Sequence, residues 1–234
     1  LPVYLIENHQ APVVSVQVWV KTGSIYESTA QKGYAHFIEH LLFKGTKKFA
    51  VGEIARKVES SGGEINAYTT FDHTVFYINI SSKEAPVAVE VLADMFCRPA
   101  FDKSEIENEK EVVIEEIKRG LDDINRCAFQ TMCSLTYKGT PFFHPVIGYE
   151  KNIRQSTRSR LLKFFNTYYH SQNSFVVVAG DFDRAKMQPI LNQYWGDFRK
   201  GKVDKPRFAK PKVVKKPLVS VQTSKFKQTR LLLA

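Results

Sequence analysis

Short segments of the chain alternate hydrophobic and polar residues, and this two-residue period is typical of β-strands. The first two segments flank a polar turn that ends at Pro12, which favours a β-hairpin. The next two flank Asp72 and His73 and are rich in β-branched and aromatic residues, so they are predicted to pair. The predicted strands are residues 3–7, 13–20, 65–71, 74–80 and 175–179.

Longer segments repeat hydrophobic residues every three or four positions, which is the period of an amphipathic α-helix. The predicted helices are residues 33–43, 52–60, 85–96, 102–120, 128–135, 157–169 and 184–194. Ser61, Gly62 and Gly63 end the second helix, and Asp102 with Glu105 marks the start of the fourth as a capping box. Strand pairs mixed with separate helices predict an α+β fold, in which a largely antiparallel β-sheet packs against helices.

The composition is that of a globular protein, with 43% hydrophobic and 25% charged residues among 234. Apolar runs are short, so no membrane span is predicted. The net charge of +10 is concentrated in one Pro-rich segment, residues 199–216, which holds nine basic residues and a single acid, Asp204. A solvated, extended linker explains this charge better than a nucleic-acid-binding face, so no nucleic acid partner is expected.

The linker divides the chain into three predicted parts. Residues 1–198 form the main domain, residues 199–217 the basic Pro-rich linker, and residues 218–234 the beginning of a second domain of similar fold. Strand-like segments at 218–223 and 229–233 are the reason for expecting a new domain after the linker.

Residues 36–40 of the first predicted helix read His-Phe-Ile-Glu-His. Two histidines at positions i and i+4 lie one turn apart on the same face, so both imidazoles can reach one metal ion. Zn²⁺ takes such nitrogen ligands, and a catalytic zinc site keeps one position open for water. Glu39 lies beside the pair, where it can accept a proton from that water. The alternative is an amphipathic helix with polar residues on its surface.

A catalytic zinc site normally has a third protein ligand, and the helix predicted at 102–120 is rich in acidic residues. Composition does not distinguish Glu115 from Glu116. Glu109 and Glu116 are seven positions apart, two helical turns, and therefore share one stripe of the helix. The inward face predicted from Val112, Val113 and Ile117 modestly favours Glu116 over Glu115 as the ligand.

The chain resembles the pitrilysin/insulinase family of zinc peptidases, and within it the shorter, processing-peptidase-like branch. The resemblance begins with residues 36–40 and the Leu-Leu-Phe-Lys-Gly-Thr that follows them. It continues in order over most of residues 1–200. The further matching segments are residues 62–69 (Gly-Gly-Glu-Ile-Asn-Ala-Tyr-Thr), 107–116 (Glu-Asn-Glu-Lys-Glu-Val-Val-Ile-Glu-Glu), 144–145 (His-Pro), Gly148 and 178–181 (Val-Ala-Gly-Asp).

The resemblance implies a role for each matching residue. The implied zinc ligands are His36, His40 and Glu116, and Zn²⁺ is the implied cofactor. Glu39 is the implied general base, and Glu109 is the implied carboxylate that orients the zinc site. Asn66 and Ala67 match an edge strand that binds the backbone of an extended peptide, although without the resemblance the residues favour a turn at Asn66 after two glycines.

The implied function is zinc-dependent hydrolysis of extended or unstructured peptides. Family members resemble a clamshell of two similar halves, so a second half-domain or a partner subunit, as in a dimer, is expected to complete the substrate site. A non-catalytic structural subunit of a larger complex is the alternative on the same fold. The peptide substrate stays open, as does the compartment, among bacterial cytoplasm, periplasm and mitochondrial matrix.

Overall fold

The computed structural model describes residues 1–203, 208, 219–221, 223 and 227–233. Within these residues the chain forms one five-stranded sheet. Its strands are Val3–Glu7 (β1), Val13–Val20 (β2), Glu64–Thr69 (β3), Thr74–Ser81 (β4) and Ser174–Gly180 (β5). The strand order is β1-β5-β2-β4-β3. Only β1 and β5 run parallel among the described strands, so the predicted, largely antiparallel sheet is confirmed.

The predicted hairpin of the first two strands is wrong. The strand β5 lies between them, with Val178 opposite Leu5 on one side and opposite Val16 on the other. Alternation along the chain identifies a strand but does not identify the strand that pairs with it. The apolar strand β5, roughly 150 residues further along the chain, pairs with the facing edges of both β1 and β2. The predicted pair of residues 65–71 and 74–80 is confirmed as β3 and β4.

Every predicted helix is present, with ends shifted by a few residues, and a short additional one follows the fifth. The helices are Tyr34–Leu42 (α1), Glu53–Ser60 (α2), Ala85–Cys97 (α3), Lys103–Leu121 (α4), Ile124–Thr136 (α5), Glu150–Arg154 (α6), Arg158–Tyr168 (α7) and Arg184–Trp195 (α8). Three-residue 3₁₀ turns occur at Ser24–Tyr26, Thr29–Gln31, Ser82–Glu84 and Pro141–Phe143. Asp102 caps α4 as predicted, but Glu105 contacts Asn108 instead of completing a capping box.

The hydrophobic core lies between the helices and one face of the sheet. Four valines of β2 at alternate positions, Val14, Val16, Val18 and Val20, are at most 1% exposed. The residues between them, such as Gln17 and Trp19, lie on the opposite face and are only half-buried. Helices α1, α3, α7 and α8 contribute most of the buried helical side chains. The helix α1 packs between the sheet and α4 because its apolar side chains join this core. The polar face of α1 remains accessible to solvent.

The end of the chain does not match the sequence expectation where it can be compared. Residues 229–233 form no strand in the structure, although their apolar pattern predicts one. Most of the predicted linker, and part of the strand predicted at 218–223, lie outside the described residues. The division into three parts therefore stays a prediction. Among the helices that the structure describes, none has both the length and the apolar character that crossing a bilayer requires.

Candidate metal centre

The helix α1 presents its three polar residues, His36, Glu39 and His40, along one stripe. Its remaining side chains, which include Phe37 and Leu41, are buried in the core. Since hydrophobic packing fixes the rotation of the helix, the polar stripe has a single orientation, towards α4 and the end of β3. The side chains of His36 and His40 are 14% and 22% exposed, so an ion from solvent can reach them.

The start of α1 is held by a buried carboxylate. The Glu27 side chain accepts the backbone N–H groups of Gly33 at 2.9 Å and Ala35 at 2.7 Å. Gly33 adopts the left-handed conformation, with φ of 102°, and a Cβ there would lie 2.6 Å from the carbonyl oxygen of Ile147. A side chain at position 33 would therefore displace the helix that carries the histidines.

This cap yields a prediction for stability. Glu27 and the neighbouring Lys32 are 5% and 4% exposed. The Glu27→Ala change leaves two helix-end N–H groups without their acceptor. It also removes the acidic group that favours the charged form of the buried Lys32, whose Nζ donates to the carbonyl oxygen of Ser24 at 3.2 Å. We expect the free energy of unfolding to fall by about 3 kcal/mol. Denaturant unfolding measures the change. The control Glu59→Ala, on the exposed side of α2, should change stability by less than about 0.5 kcal/mol. An equal loss in both variants would contradict the role of the cap.

The helix α4 brings two carboxylates to the polar stripe of α1. Glu109 is buried at 4% exposure and Glu116 is half-buried, and both point towards α1, as their shared stripe predicts. Glu115 points to solvent and pairs with Lys118 at 2.7 Å. The predicted inward face was partly wrong, because Val112 is 45% exposed and Ile114 is buried in its place. The choice of Glu116 over Glu115 is unaffected, since Glu116 lies on the side of the helix that faces α1.

Three side-chain atoms converge between the two helices. Glu116 Oε2 lies 3.5 Å from His36 Nε2 and 3.6 Å from His40 Nε2. All three ligand atoms lie within 4.8 Å of one another, and this is the one such group of His, Cys, Asp or Glu found in the described part of the chain. A tetrahedral zinc ion with ligand distances of about 2.0–2.2 Å separates its ligand atoms by roughly 3.4 Å. The donor set and its spacing therefore fit a zinc ion with little movement.

Glu109 holds His40 from the side opposite the three converging atoms. Its Oε1 lies 2.9 Å from His40 Nδ1, and its Oε2 accepts from Lys44 Nζ at 2.7 Å. With Nδ1 bound to a carboxylate, the Nε2 atom of His40 is left to face Glu116 and His36. Hydrogen bonds of this kind orient metal-ligating histidines and raise their basicity. The Nδ1 atom of His36, in contrast, is buried without a hydrogen-bond partner among the described residues.

Glu39 lies beside the converging atoms and is not part of their group. Its Oε2 accepts a hydrogen bond from the hydroxyl of Thr69, the last residue of β3. The strand β3 pairs with β4 alone and is the edge of the described sheet. Asn66 lies within this strand opposite Tyr77, so the turn considered for Asn66 is wrong. Asn66 and Ala67 therefore lie on an edge strand whose end touches Glu39.

Burial and neighbouring groups shift the pKa values of Glu116, His40 and His36 in different directions. The adjacent imidazole of His40, outweighing the effect of burial, lowers the pKa of Glu116 to about 2. Burial lowers the pKa of His40, but the hydrogen bond to Glu109 and the nearby carboxylate of Glu116 outweigh it and raise the value to about 9. Burial, with the neighbouring His40, lowers the pKa of His36 to about 4. At neutral pH, His36 is therefore uncharged and can donate a lone pair to a metal ion, and the Glu116 carboxylate is ionised.

The pKa of Glu39 is raised, whereas the pKa values of Glu109 and Glu116 are lowered. Burial raises its pKa, and the hydrogen bond from Thr69 only partly counters this. For Glu109, burial is outweighed by the hydrogen bonds from His40 and Lys44, so its pKa is lowered. Glu39 is thus the carboxylate here that most readily takes up a proton, a property that a general base near neutral pH requires.

Sequence reasoning gave no role to three residues around the candidate site, which contact Glu109, Glu39 and Glu116 respectively: Lys44, Thr69 and Arg126. Lys44 is four positions after His40, and helical spacing alone could have placed it near the same partners. Thr69 and Arg126 reach the site from β3 and α5. No periodic pattern links those elements to α1, so only the fold shows their contacts.

Two family models match the chain. The model described as Insulinase (Peptidase family M16) matches residues 2–150, and the one described as the Peptidase M16 inactive domain matches residues 155–234. The second match includes β5, which lies in the middle of the sheet formed by the first. The two matched regions therefore share one sheet and one core.

Curated relatives and solved structures agree with these matches. The mitochondrial cytochrome b-c1 complex subunit 1 of Bos taurus is 32% identical over 189 residues, which are 81% of this chain and 39% of the relative. The uncharacterized zinc protease YmxG of Bacillus subtilis (strain 168) is 31% identical over 217 residues, 92% of this chain and 53% of the relative. A protease from Helicobacter pylori has a TM-score of 0.79 at 26% identity and covers 89% of this chain and 50% of its own.

The chain spans about half of the length of these relatives, or less. Its similarity to half of this solved protease confirms the predicted architecture of one half of a clamshell. The relatives include a protein named as a zinc protease and a subunit of the cytochrome b-c1 complex, so the fold is shared by proteins of different kinds. On the family model that covers residues 2–150, this chain belongs to peptidase family M16, the insulinase family.

Proposed function

We propose that this protein is a zinc-dependent endopeptidase that hydrolyses extended or unstructured peptides. The observation that carries the proposal is the convergence of His36, His40 and Glu116 beside Glu39, at one end of an edge strand. Each group has a function in hydrolysis: three donors for a metal, one carboxylate with a raised pKa, and one strand for the substrate backbone. A purely structural surface has no use for this combination.

The zinc ligands in this proposal are His36, His40 and Glu116, with Glu109 orienting His40. A zinc ion bound there would polarise the scissile carbonyl and lower the pKa of its water to about 7. Three protein ligands leave room for water and substrate, which is typical of catalytic rather than structural zinc sites.

Glu39 acts in the proposal as the general base and then as the general acid. Its carboxylate removes a proton from the attacking water and returns it to the nitrogen of the leaving amine. Burial, which raises the pKa of Glu39, favours the protonated state that must exist between these two steps. The hydroxyl of Thr69 donates to Oε2 and so fixes the direction in which the carboxylate points.

The substrate in the proposal extends the sheet along β3. An extended peptide added at this edge gains main-chain hydrogen bonds, which make few demands on its sequence. Asn66 and Ala67 lie in the middle of the edge, and Thr69 joins its end to Glu39. A bound peptide would therefore run directly past the general base.

A second half-domain or a partner subunit completes the substrate site in this proposal. The chain covers 39–53% of the two curated relatives described above, and 50% of the solved protease. The half-clamshell leaves the group of His36, His40 and Glu116 open on one side, with Glu116 34% exposed. A facing half would exclude water from the reacting groups and hold the peptide against β3.

The second candidate function is a structural subunit without catalysis. It is favoured by one observation, the 32% identity to a subunit of the cytochrome b-c1 complex. The two proposals differ in what metal removal does. A catalytic subunit needs its metal to turn over peptide, whereas a structural one shows no peptide hydrolysis with or without metal.

Metal removal tests the proposed function. The protein, assembled with any partner it has, is incubated with an unstructured fluorogenic peptide before and after treatment with a zinc chelator. We expect hydrolysis to be lost with the chelator and restored by about one equivalent of zinc per chain, since water activation depends on the metal. Elemental analysis measures the zinc. Hydrolysis that persists in fully metal-free protein would refute the mechanism, and zinc-loaded, assembled protein without hydrolysis would favour the structural subunit.

A further inference from the structure

Arg126 contacts the proposed metal ligand Glu116 from a third helix. It lies in the first turn of α5, where its backbone N–H is bonded to the capping side chain of Asp123 at 3.1 Å. Its guanidinium Nη2 lies 3.5 Å from Glu116 Oε1. The cap fixes where the Arg126 side chain starts, and Glu116 fixes where it ends.

The surface of α4 has space for this guanidinium at Gly120. Gly120 is one helical turn after Glu116 and therefore lies on the same face. A Cβ at position 120 would come within 2.8 Å of Nη1 and 2.9 Å of Cδ of Arg126. Gly120 is the last but one residue of α4, and its missing side chain leaves room on this face of the helix. The space that it leaves is filled by Arg126, directly beneath Glu116.

The two oxygens of Glu116 consequently have different partners. Oε2 faces the two histidine Nε2 atoms, and Oε1 faces Arg126. We propose that Arg126 is a positioning residue that keeps Glu116 a one-oxygen ligand, so that a coordination position stays open for water and the substrate carbonyl. This inference rests on the proposed function, because it concerns how that site holds its metal.

The positive charge of Arg126 determines whether removing this side chain should weaken metal binding. A guanidinium near a divalent cation repels it, so Arg126 does not serve to tighten metal binding. Its attraction for Oε1 instead withholds that oxygen from the ion. Without Arg126, both oxygens are free to bind, and the second one would bind beside the water as a fifth ligand, in the position that the substrate carbonyl needs. Loss of turnover without loss of metal is therefore the expected signature.

The test compares Arg126→Gln with the conservative variant Arg126→Lys and the matched control Arg119→Gln. Arg119 is an exposed residue of α4, three positions after Glu116, so its variant makes the same change in charge without the contact. Co²⁺ replaces the metal, because its visible absorption weakens when the number of ligands rises above four. We expect weakened absorption and a kcat lower by about tenfold or more in Arg126→Gln, with KM unchanged and zinc bound at least as tightly. Arg126→Lys should recover part of both, and Arg119→Gln should match the wild type.

Gly120→Ala provides an independent variant that keeps every charge. Alanine favours the helix but occupies the space of the guanidinium, so the same spectral change is expected in a protein that is at least as stable. Wild-type absorption in both Arg126→Gln and Gly120→Ala would overturn the inference and leave the proposed function intact. Loss of metal from Arg126→Gln would also overturn it, since Arg126 would then be needed to form the site. Failure of the wild type to bind Zn²⁺ or Co²⁺ would overturn the proposed function, and this inference with it.

Discussion

Glu39→Gln is expected to retain zinc and lose turnover by about 10²–10⁴-fold, the usual contribution of a general acid–base group. Glutamine keeps the size of the side chain and can still interact with the hydroxyl of Thr69, so the site should keep its shape. The amide has no basic oxygen that can take a proton from water. The group of His36, His40 and Glu116 does not include Glu39, so metal binding should be unaffected. Elemental analysis and kcat on an unstructured peptide measure the two quantities separately.

Thr69→Val is the matched control for this prediction. It removes the hydrogen bond that orients Glu39 but leaves the carboxylate in place. We expect a fall in kcat much smaller than that of Glu39→Gln, because the base is misdirected rather than lost. Turnover within tenfold of the wild type by zinc-loaded Glu39→Gln would remove Glu39 from the role of general base.

Glu116→Gln is expected to weaken zinc binding by more than about 100-fold, whereas Glu115→Gln should leave it unchanged. Loss of a residue that only supports a ligand costs 10–100-fold in affinity, and loss of the ligand itself should cost more. The two residues are adjacent in sequence, but Glu116 Oε2 lies 3.5 Å from His36 Nε2 while Glu115 pairs with Lys118 on the exposed side of α4. Competition with a zinc-binding dye gives both dissociation constants.

Comparing Glu116→Gln with Glu115→Gln separates the effect of ligand position on zinc affinity from the effect of charge, since each variant removes one negative charge from the same turn of α4. Equal weakening by both would mean that overall charge attracts the ion and that no particular carboxylate binds it. Weakening by Glu115→Gln alone would reverse the assignment of the ligand. Circular dichroism of the metal-free proteins verifies that both variants keep their helices.

Local periodicity was sufficient to locate most of the secondary structure. The helix α1 was predicted because its apolar residues repeat at helical spacing, and β3 and β4 because a short polar turn separates them. Both features depend on residues close together in the chain. The prediction failed where the partner is distant, as for β1 and β2, which are separated by a strand from the other end of the domain.

The residues of the candidate site also differ in whether local sequence spacing was enough to find them. His36, Glu39 and His40 were found from spacing alone, since one helical turn brings the two histidines to one ion. Glu116 needed the family resemblance, because it lies 76 positions beyond His40 and several acidic residues of α4 were possible ligands. The contacts of Thr69 and Arg126 had no signal in the sequence, because each depends on how separate elements pack.

The central place of β5 has a consequence for how the protein is made. The strands β1 and β2 leave the ribosome well before β5, yet the hydrogen bonds along their facing edges form only with residues 174–180. Until then β2 has an exposed edge and β1 has no partner among the described strands, which is the condition under which nascent chains aggregate. The helix that carries the two histidines packs on this unfinished sheet. The domain therefore becomes competent to hold a metal late in synthesis, and a chain interrupted near residue 150 would carry the whole ligand set without a stable fold to present it.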